Sequence, residues 1–321
     1  MFTLTESKVS ADSTLMPGPY LRQRLDLLRR SQNGDGGWGY FPGKASWLEP
    51  TAYAALALHG EPASDRAWAL LRTWQLPDGS WRPSGAVAES SWATSLCATI
   101  AMARNETGAP LEKGVAWLVG SVGAEATWFN VVVSRLGLVD LDRDFSLRAW
   151  PWKPGNSGWV EPTAHALVAL KLASAKLSSR HFSKASLADR IAAGEAELLN
   201  VRSRDGGWNY GESSVRGIEL RSYPETTALA LLGLQGRPNL GKAFDVAQRE
   251  IGQTPSPLAR AWLTIAMRLH GVPVPEKTAP ELTAPPPDDL MIAAVEALAA
   301  PDGNYKFMQT ASVAAHAGGS V

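Results

Sequence analysis

Three glutamates recur at one register of a repeated pattern, and a carboxyl group held in an apolar setting is well suited to deliver a proton. WLEPTAYAALAL, from Trp47, aligns without a gap on WVEPTAHALVAL, from Trp159, and this superposes Glu49 on Glu161. YPETTALALLGL, from Tyr223, brings Glu225 into the same register. Glu161 alone has a histidine four residues on, so His165 shares its helix face and is placed to hydrogen-bond with it; the matching positions hold Tyr53 and Leu229. Trp47, Tyr53, Trp92, Trp159 and Tyr223 are the aromatic candidates for a cavity wall, where ring faces stabilise positive charge. The plainer reading stands beside this one, because an acidic residue next to a proline suits the first turn of any helix. Glu49, Glu161 and Glu225 are thus proton donors or helix-start devices, with Glu161 preferred as the acid because of His165.

Other polar motifs carry less. DLDRD supplies Asp140, Asp142 and Asp144 but has Arg143 among them and opens no helix, so it reads as a solvated loop. DDLMI, from Asp288, has no third acid to complete a diphosphate-ionising motif. Cys97 is the single cysteine, which excludes an internal disulfide and a multi-cysteine metal site, and its apolar neighbours make it a small buried hydrophobe. No metal and no cofactor is expected. Thirty-one basic residues balance thirty-one acidic ones with no basic cluster, which removes the electrostatic case for nucleic acid.

The elements that must position these residues are announced by a second repeat. QNGDGGW, from Gln32, and QLPDGSW, from Gln75, share the pattern Gln-x-x-Asp-Gly-x-Trp; SRDGGW keeps the turn and Trp208 but has Arg202 for the glutamine, and PDGNY ends on Tyr305. Gly36, Gly79 and Gly206 supply a positive φ after a helix end, the preceding Asp bonds its own backbone, and the Trp returns an apolar face. Segments 20–31, 64–75, 111–120, 186–199, 240–250 and 288–298 mix charge with apolar residues at helical spacing and suit an outer layer. Segments 50–59, 90–104, 162–174, 225–235, 256–270 and 308–318 are rich in Ala, Leu and Thr and suit an inner one. Six outer and six inner helices predict an all-α fold, a single α6/α6 toroid of concentric helix pairs. Residues 1–18 read as a flexible arm without signal-peptide character, 19–321 as the toroid domain, and 272–287 as a Pro-rich connection within it.

These repeats resemble the family of squalene–hopene cyclases, oxidosqualene cyclases, class II diterpene cyclases and protein prenyltransferase β-subunits. The resemblance covers most of residues 20–310. It implies inner helices around an apolar cavity that accepts an isoprenoid chain, with the Gln and Trp of each motif tying neighbouring repeats together. The family's proton donor is the middle Asp of an Asp-x-Asp-Asp motif leading into Thr-Ala; here Glu49, Glu161 and Glu225 fall on that Asp, while Pro50, Pro162 and Thr226 replace the last one. The zinc ligands of the prenyltransferases have no counterpart beside Cys97. The expected function is carboxylic-acid-initiated cyclisation of a polyprenyl or triterpenoid substrate; the alternatives are a non-catalytic toroid that binds an isoprenoid lipid or a protein and, more weakly, a glycosidase. A cytoplasmic location with peripheral membrane contact fits a hydrophobic ligand, and oligomeric state is left open.

Overall fold

The Trp that closes three of these motifs acts as a clamp, and the same geometry occurs a fourth time at Trp150, where WPWKPGNSGW aligns on WGYFPGKASW from Trp38. Trp38, Trp81, Trp150 and Trp208 donate their ring N–H to the carbonyls of Leu28, Leu71, Leu118 and Leu198 at 2.6–2.9 Å. Their backbone N–H groups bond the hydroxyls of Thr51, Thr94, Thr163 and Thr227 at 2.8–3.0 Å. One residue therefore binds the end of the preceding helix to the start of the next. All four rings are fully buried, at most 1% exposed. Gln32 and Gln75 each bridge their own turn to a carbonyl at the start of the next outer helix, Ala63 and Pro110. Arg202 replaces the first of these bonds, from its Nε to the Gly206 carbonyl. At Gly79 (φ 95°) an added Cβ would stand 2.6 Å from the Lys113 backbone, so the turn needs glycine twice over.

The computed structural model describes residues 17–126, 148–215, 217–275 and 285–311. Its helices are α1 (Pro19–Arg30), α2 (Leu48–Ala57), α3 (Pro62–Thr73), α4 (Thr94–Ala103), α5 (Ala109–Gly120), α6 (Val160–Lys176), α7 (Lys184–Asn200), α8 (Pro224–Gly233), α9 (Gly241–Gln253), α10 (Pro257–Leu269) and α11 (Leu290–Ala299). Two short hairpins, Trp150–Pro151 with Gly158–Trp159 and Ser214–Val215 with Ile218–Glu219, are the paired strands among the described residues. The fold is all-α. Every residue of α4 is buried, as are nearly all of α2 and α8, whereas α1, α3 and α9 bury one stripe. That division follows the charge pattern.

The buried helices pack in a circuit, α2 on α4, α4 on α6, α6 on α8, α8 on α10, α10 on α11, and α11 back on α2. Outside it, α1 covers α11, α3 covers α2, α5 covers α4 and α6, α7 covers α6, and α9 covers α8 and α10. A buried ion pair, Arg24 to Glu296 at 3.1 Å, and the bond from Gly18 N–H to Asp302 at 2.9 Å hold the two ends of the circuit together. Residues 301–311 then run across the C-terminal ends of the inner helices: Asn304 bonds the Leu56 and Ala57 carbonyls, the Met308 carbonyl accepts from Gln235, and the turn Tyr305–Met308 packs on α4 and α10.

The last pair departs from expectation. Segment 288–298 is not an outer helix: α11 is an inner one, because its acids Asp288 and Asp289 precede the helix, Asp289 caps it by accepting from Met291 and Ile292, and its one internal charge is met by Arg24. The inner helix expected at 308–318 is absent as far as residue 311, where the chain forms the covering segment instead; residues 312–321 lie outside the described ones, as do 1–16 of the expected arm and 276–284 of the Pro-rich connection. Among the described residues no helix is long and apolar enough to cross a membrane.

Candidate functional site

The three glutamates sit in the first turns of α2, α6 and α8, each two residues after an aromatic N-cap: Trp47, Trp159 and Tyr223. Since each inner helix follows a clamp in the same sense, the three first turns face one end of the circuit. Glu161 feels the charges of both Glu49 and Glu225, and Glu49 feels Glu225 and Asp289. The hydroxyl of Thr94 bonds Trp81 as Thr51 bonds Trp38, so Trp92 occupies the glutamate register just before α4.

The carboxyl groups differ in their partners. Tyr40 donates its hydroxyl to Glu49 Oε2 at 2.5 Å, whereas Glu161 has no hydrogen-bond donor among the described residues. Burial pushes the Glu161 carboxyl well above the usual range, and the neighbouring charges of Glu49 and Glu225 push it further. For Glu49 burial also raises the value, opposed by the Tyr40 hydrogen bond; for Glu225 burial is the cause. Glu161 remains partly water-accessible while protein surrounds it, which is the situation of a group on the wall of a recess.

One turn deeper, aromatic rings close the axis. His165 Nε2 lies 3.1 Å from the Tyr53 hydroxyl, so the pairing expected between Glu161 and His165 is replaced by one across the circuit. Trp262 stands edge-on to both, at 5.5 Å from Tyr53 and 5.6 Å from His165. These three side chains come from α2, α6 and α10, alternate members of the circuit, and therefore meet at its centre. Trp92 packs on His165 at 5.4 Å and on Trp152 at 5.1 Å. Tyr53 and Trp92 are thus a buried floor, while Trp47, Trp159 and Tyr223, 39–41% exposed, form a rim. Burial drives the His165 pKa down to about 3, so the ring is neutral at ordinary pH.

Sequence reasoning missed Tyr40, Trp152, Tyr210, Trp262 and Asp289. A signal for three of them was present: WGY, WPW and WNY place an aromatic two residues after the clamp Trp in each glutamate-bearing repeat. Tyr40 bonds Glu49, Trp152 backs Trp92, and Tyr210 packs on Tyr223 at 5.1 Å. Trp262 follows no such motif. Asp140, Asp142 and Asp144 lie outside the described residues. Cys97 is fully buried within α4, and among the described residues no group of His, Cys, Asp or Glu is placed to hold a metal ion. A groove of about 630 Å³ adjoins the rim at Trp47 but runs outward between the first two turns, past Asp35, Ser46 and Trp74.

The chain is similar in fold to solved structures of type II terpene cyclase MstE from Scytonema. A variant in complex with its substrate geranylgeranyl dihydroxybenzoate aligns with TM-score 0.53 and 13% identity over 91% of this chain and 97% of the other. A second complex with that substrate gives 0.51 and 16% over 81% and 73%. A protein from Actinoplanes gives 0.50 and 21% over 77% and 73%. No protein-family model and no curated protein matches the chain. At these identities the likeness is one of fold, a helical terpene cyclase-like architecture.

Proposed function

We propose that the chain is a single α/α toroid of the squalene–hopene cyclase type, and that it cyclises an isoprenoid substrate by proton transfer from Glu161. The observation that carries this reading is the carboxyl cluster: three first-turn glutamates gather above an aromatic floor, and Glu161, which has no hydrogen-bond donor among the described residues, is the one whose acid form burial and neighbouring charge favour most. A protonated carboxyl beside an alkene can pass its proton to one alkene carbon, leaving a tertiary cation that the next double bond attacks. Loss of a proton from the last cation to the Glu161 carboxylate, directly or through water, restores the acid, so the net change is isomerisation. Tyr53, Trp92 and Trp262 below, with Trp47, Trp159 and Tyr223 above, supply the ring faces that such cations need. Glu49 and Glu225 add negative potential to the same recess.

The floor limits how a substrate lies. An isoprenoid cannot thread the circuit past Tyr53, His165 and Trp262, so it folds within the recess between floor and rim, with entry from the rim because residues 301–311 cover the other end. The alignment over 91% of this chain and 97% of the other with a terpene cyclase in complex with a geranylgeranyl-bearing substrate supports this reading. Incubation with geranylgeranyl-bearing substrates, followed by mass spectrometry and chromatography of the extract, tests the reading. Cyclised product is expected from the parent, and none from Glu161→Gln, which keeps the shape but lacks the proton while ligand binding persists. Equal ligand binding by both proteins with product from neither favours the second reading, a lipid-binding toroid.

A further inference from the structure

Among the described residues the mouth holds several acidic groups but one short hydrogen bond, from Tyr40 to Glu49. Tyr40 is anchored by its carbonyl, which accepts from Leu290 N–H at 2.7 Å at the start of α11, and its ring leans on Trp47 at 6.4 Å. Its hydroxyl is thereby aimed at Glu49 across the seam where the circuit closes. A phenol that donates at 2.5 Å stabilises the carboxylate form of its acceptor. Burial and the nearby acids raise the Tyr40 phenol, so it stays a donor.

We propose that Tyr40 is a positioning residue: by holding Glu49 as the anion, it leaves the shared proton of the mouth on Glu161, whose carboxyl has no hydrogen-bond donor among the described residues. Glu49 then acts on Glu161 as a fixed negative charge. Among the described residues the groups facing this pair are Glu225 on α8, Asp289 before α11, Tyr53 on α2, Tyr210 beside Tyr223, and neutral His165 one turn deeper on α6. None of them is basic at ordinary pH, and none donates a hydrogen bond to Glu161. The protonated state is set by the partition among three related glutamates: Glu49 has a tyrosine donor, and of Glu161 and Glu225, which have none among the described residues, Glu161 is the more deeply buried. The consequence for catalysis rests on the cyclase reading; the protonation pattern itself does not.

Infrared spectra of the free protein test the assignment. The protonated-carboxyl band that disappears in Glu161→Gln is followed against pH in the parent, in Tyr40→Phe, in Glu49→Gln and in the control Tyr210→Phe. The expected result is a midpoint lowered by about 1 pH unit in both Tyr40→Phe and Glu49→Gln, because each removes negative charge beside Glu161, with no change in Tyr210→Phe. An unmoved midpoint in folded Tyr40→Phe overturns the proposal, as does an equal shift in the control or the absence of a Glu161 band in the parent. If thermal melts find Tyr40→Phe unfolded, Tyr40→Leu repeats the hydroxyl deletion. No substrate enters the measurement, so its failure leaves the cyclase reading standing, and a protein that turns over nothing can still show the shift.

Discussion

At the scale of single residues, His165 illustrates how burial converts a titratable group into a structural one. Its pKa falls from 6.5 to about 3 in the folded chain because the ring is sealed among Tyr53, Trp92 and Trp262. Below 6.5 the unfolded chain binds a proton that the folded one refuses. Stability is therefore complete above that value and lost as pH falls through it. Between about pH 7 and about pH 4 the loss amounts to about 3 kcal/mol. The carboxyl groups raised by burial have the opposite sign, since the folded state keeps their protons longer as pH rises. Urea midpoints for the parent and His165→Gln across this window separate the two: the parent should lose stability more steeply toward acid, and parallel curves would place the titration elsewhere.

At the scale of elements, the clamp is the unit of construction. Trp81 is 1% exposed, bonds α3 through its ring and α4 through its backbone, and packs against Gly114 of α5. Trp81→Ala should cost about 3–5 kcal/mol, as for other large-to-small changes in a packed core, and calorimetric melts equal to those of the parent would contradict this. Gly79→Ala should also destabilise, through its φ of 95° and the approach to Lys113. The clamps were legible in the sequence because one turn chemistry recurs with its Trp. The inner helices were legible because their low charge leaves no wet face. Segment 288–298 was misread since its charges lie before the helix and at one paired glutamate, which a count of composition cannot distinguish from an exposed stripe. The glutamate register was also visible, but not the His165–Tyr53 contact, which joins side chains 112 residues apart and depends on the circuit closing.

At the scale of the molecule, closure depends on a seam. Arg24 is 1% exposed and its partner Glu296 sits in the last inner helix, so Arg24→Ala leaves a buried carboxylate without its cation, with the Tyr20 hydroxyl still bonded to it, and should cost about 3–5 kcal/mol. The double change Arg24→Met with Glu296→Leu should recover most of that stability; denaturant curves that leave the double variant as weak as the single one would show that the pair does more than neutralise charge. Tyr40 touches the same seam through Leu290, so damage there should also disturb the acidic mouth.

That seam orders events in time. Gly18 and Asp302, bonded in the finished protein, are separated by 284 positions, and α2 obtains one of its two flanking inner helices only from α11. During synthesis the early repeats can stack as they emerge, yet one flank of α2 stays unpartnered until residues beyond 290 have left the ribosome. Contacts of such high sequence separation fold slowly and expose apolar surface meanwhile. The aromatic floor and the acidic mouth, both assembled from helices far apart in the chain, are therefore late products of folding, and a stalled or truncated chain would present a sticky helical arc with neither of them assembled.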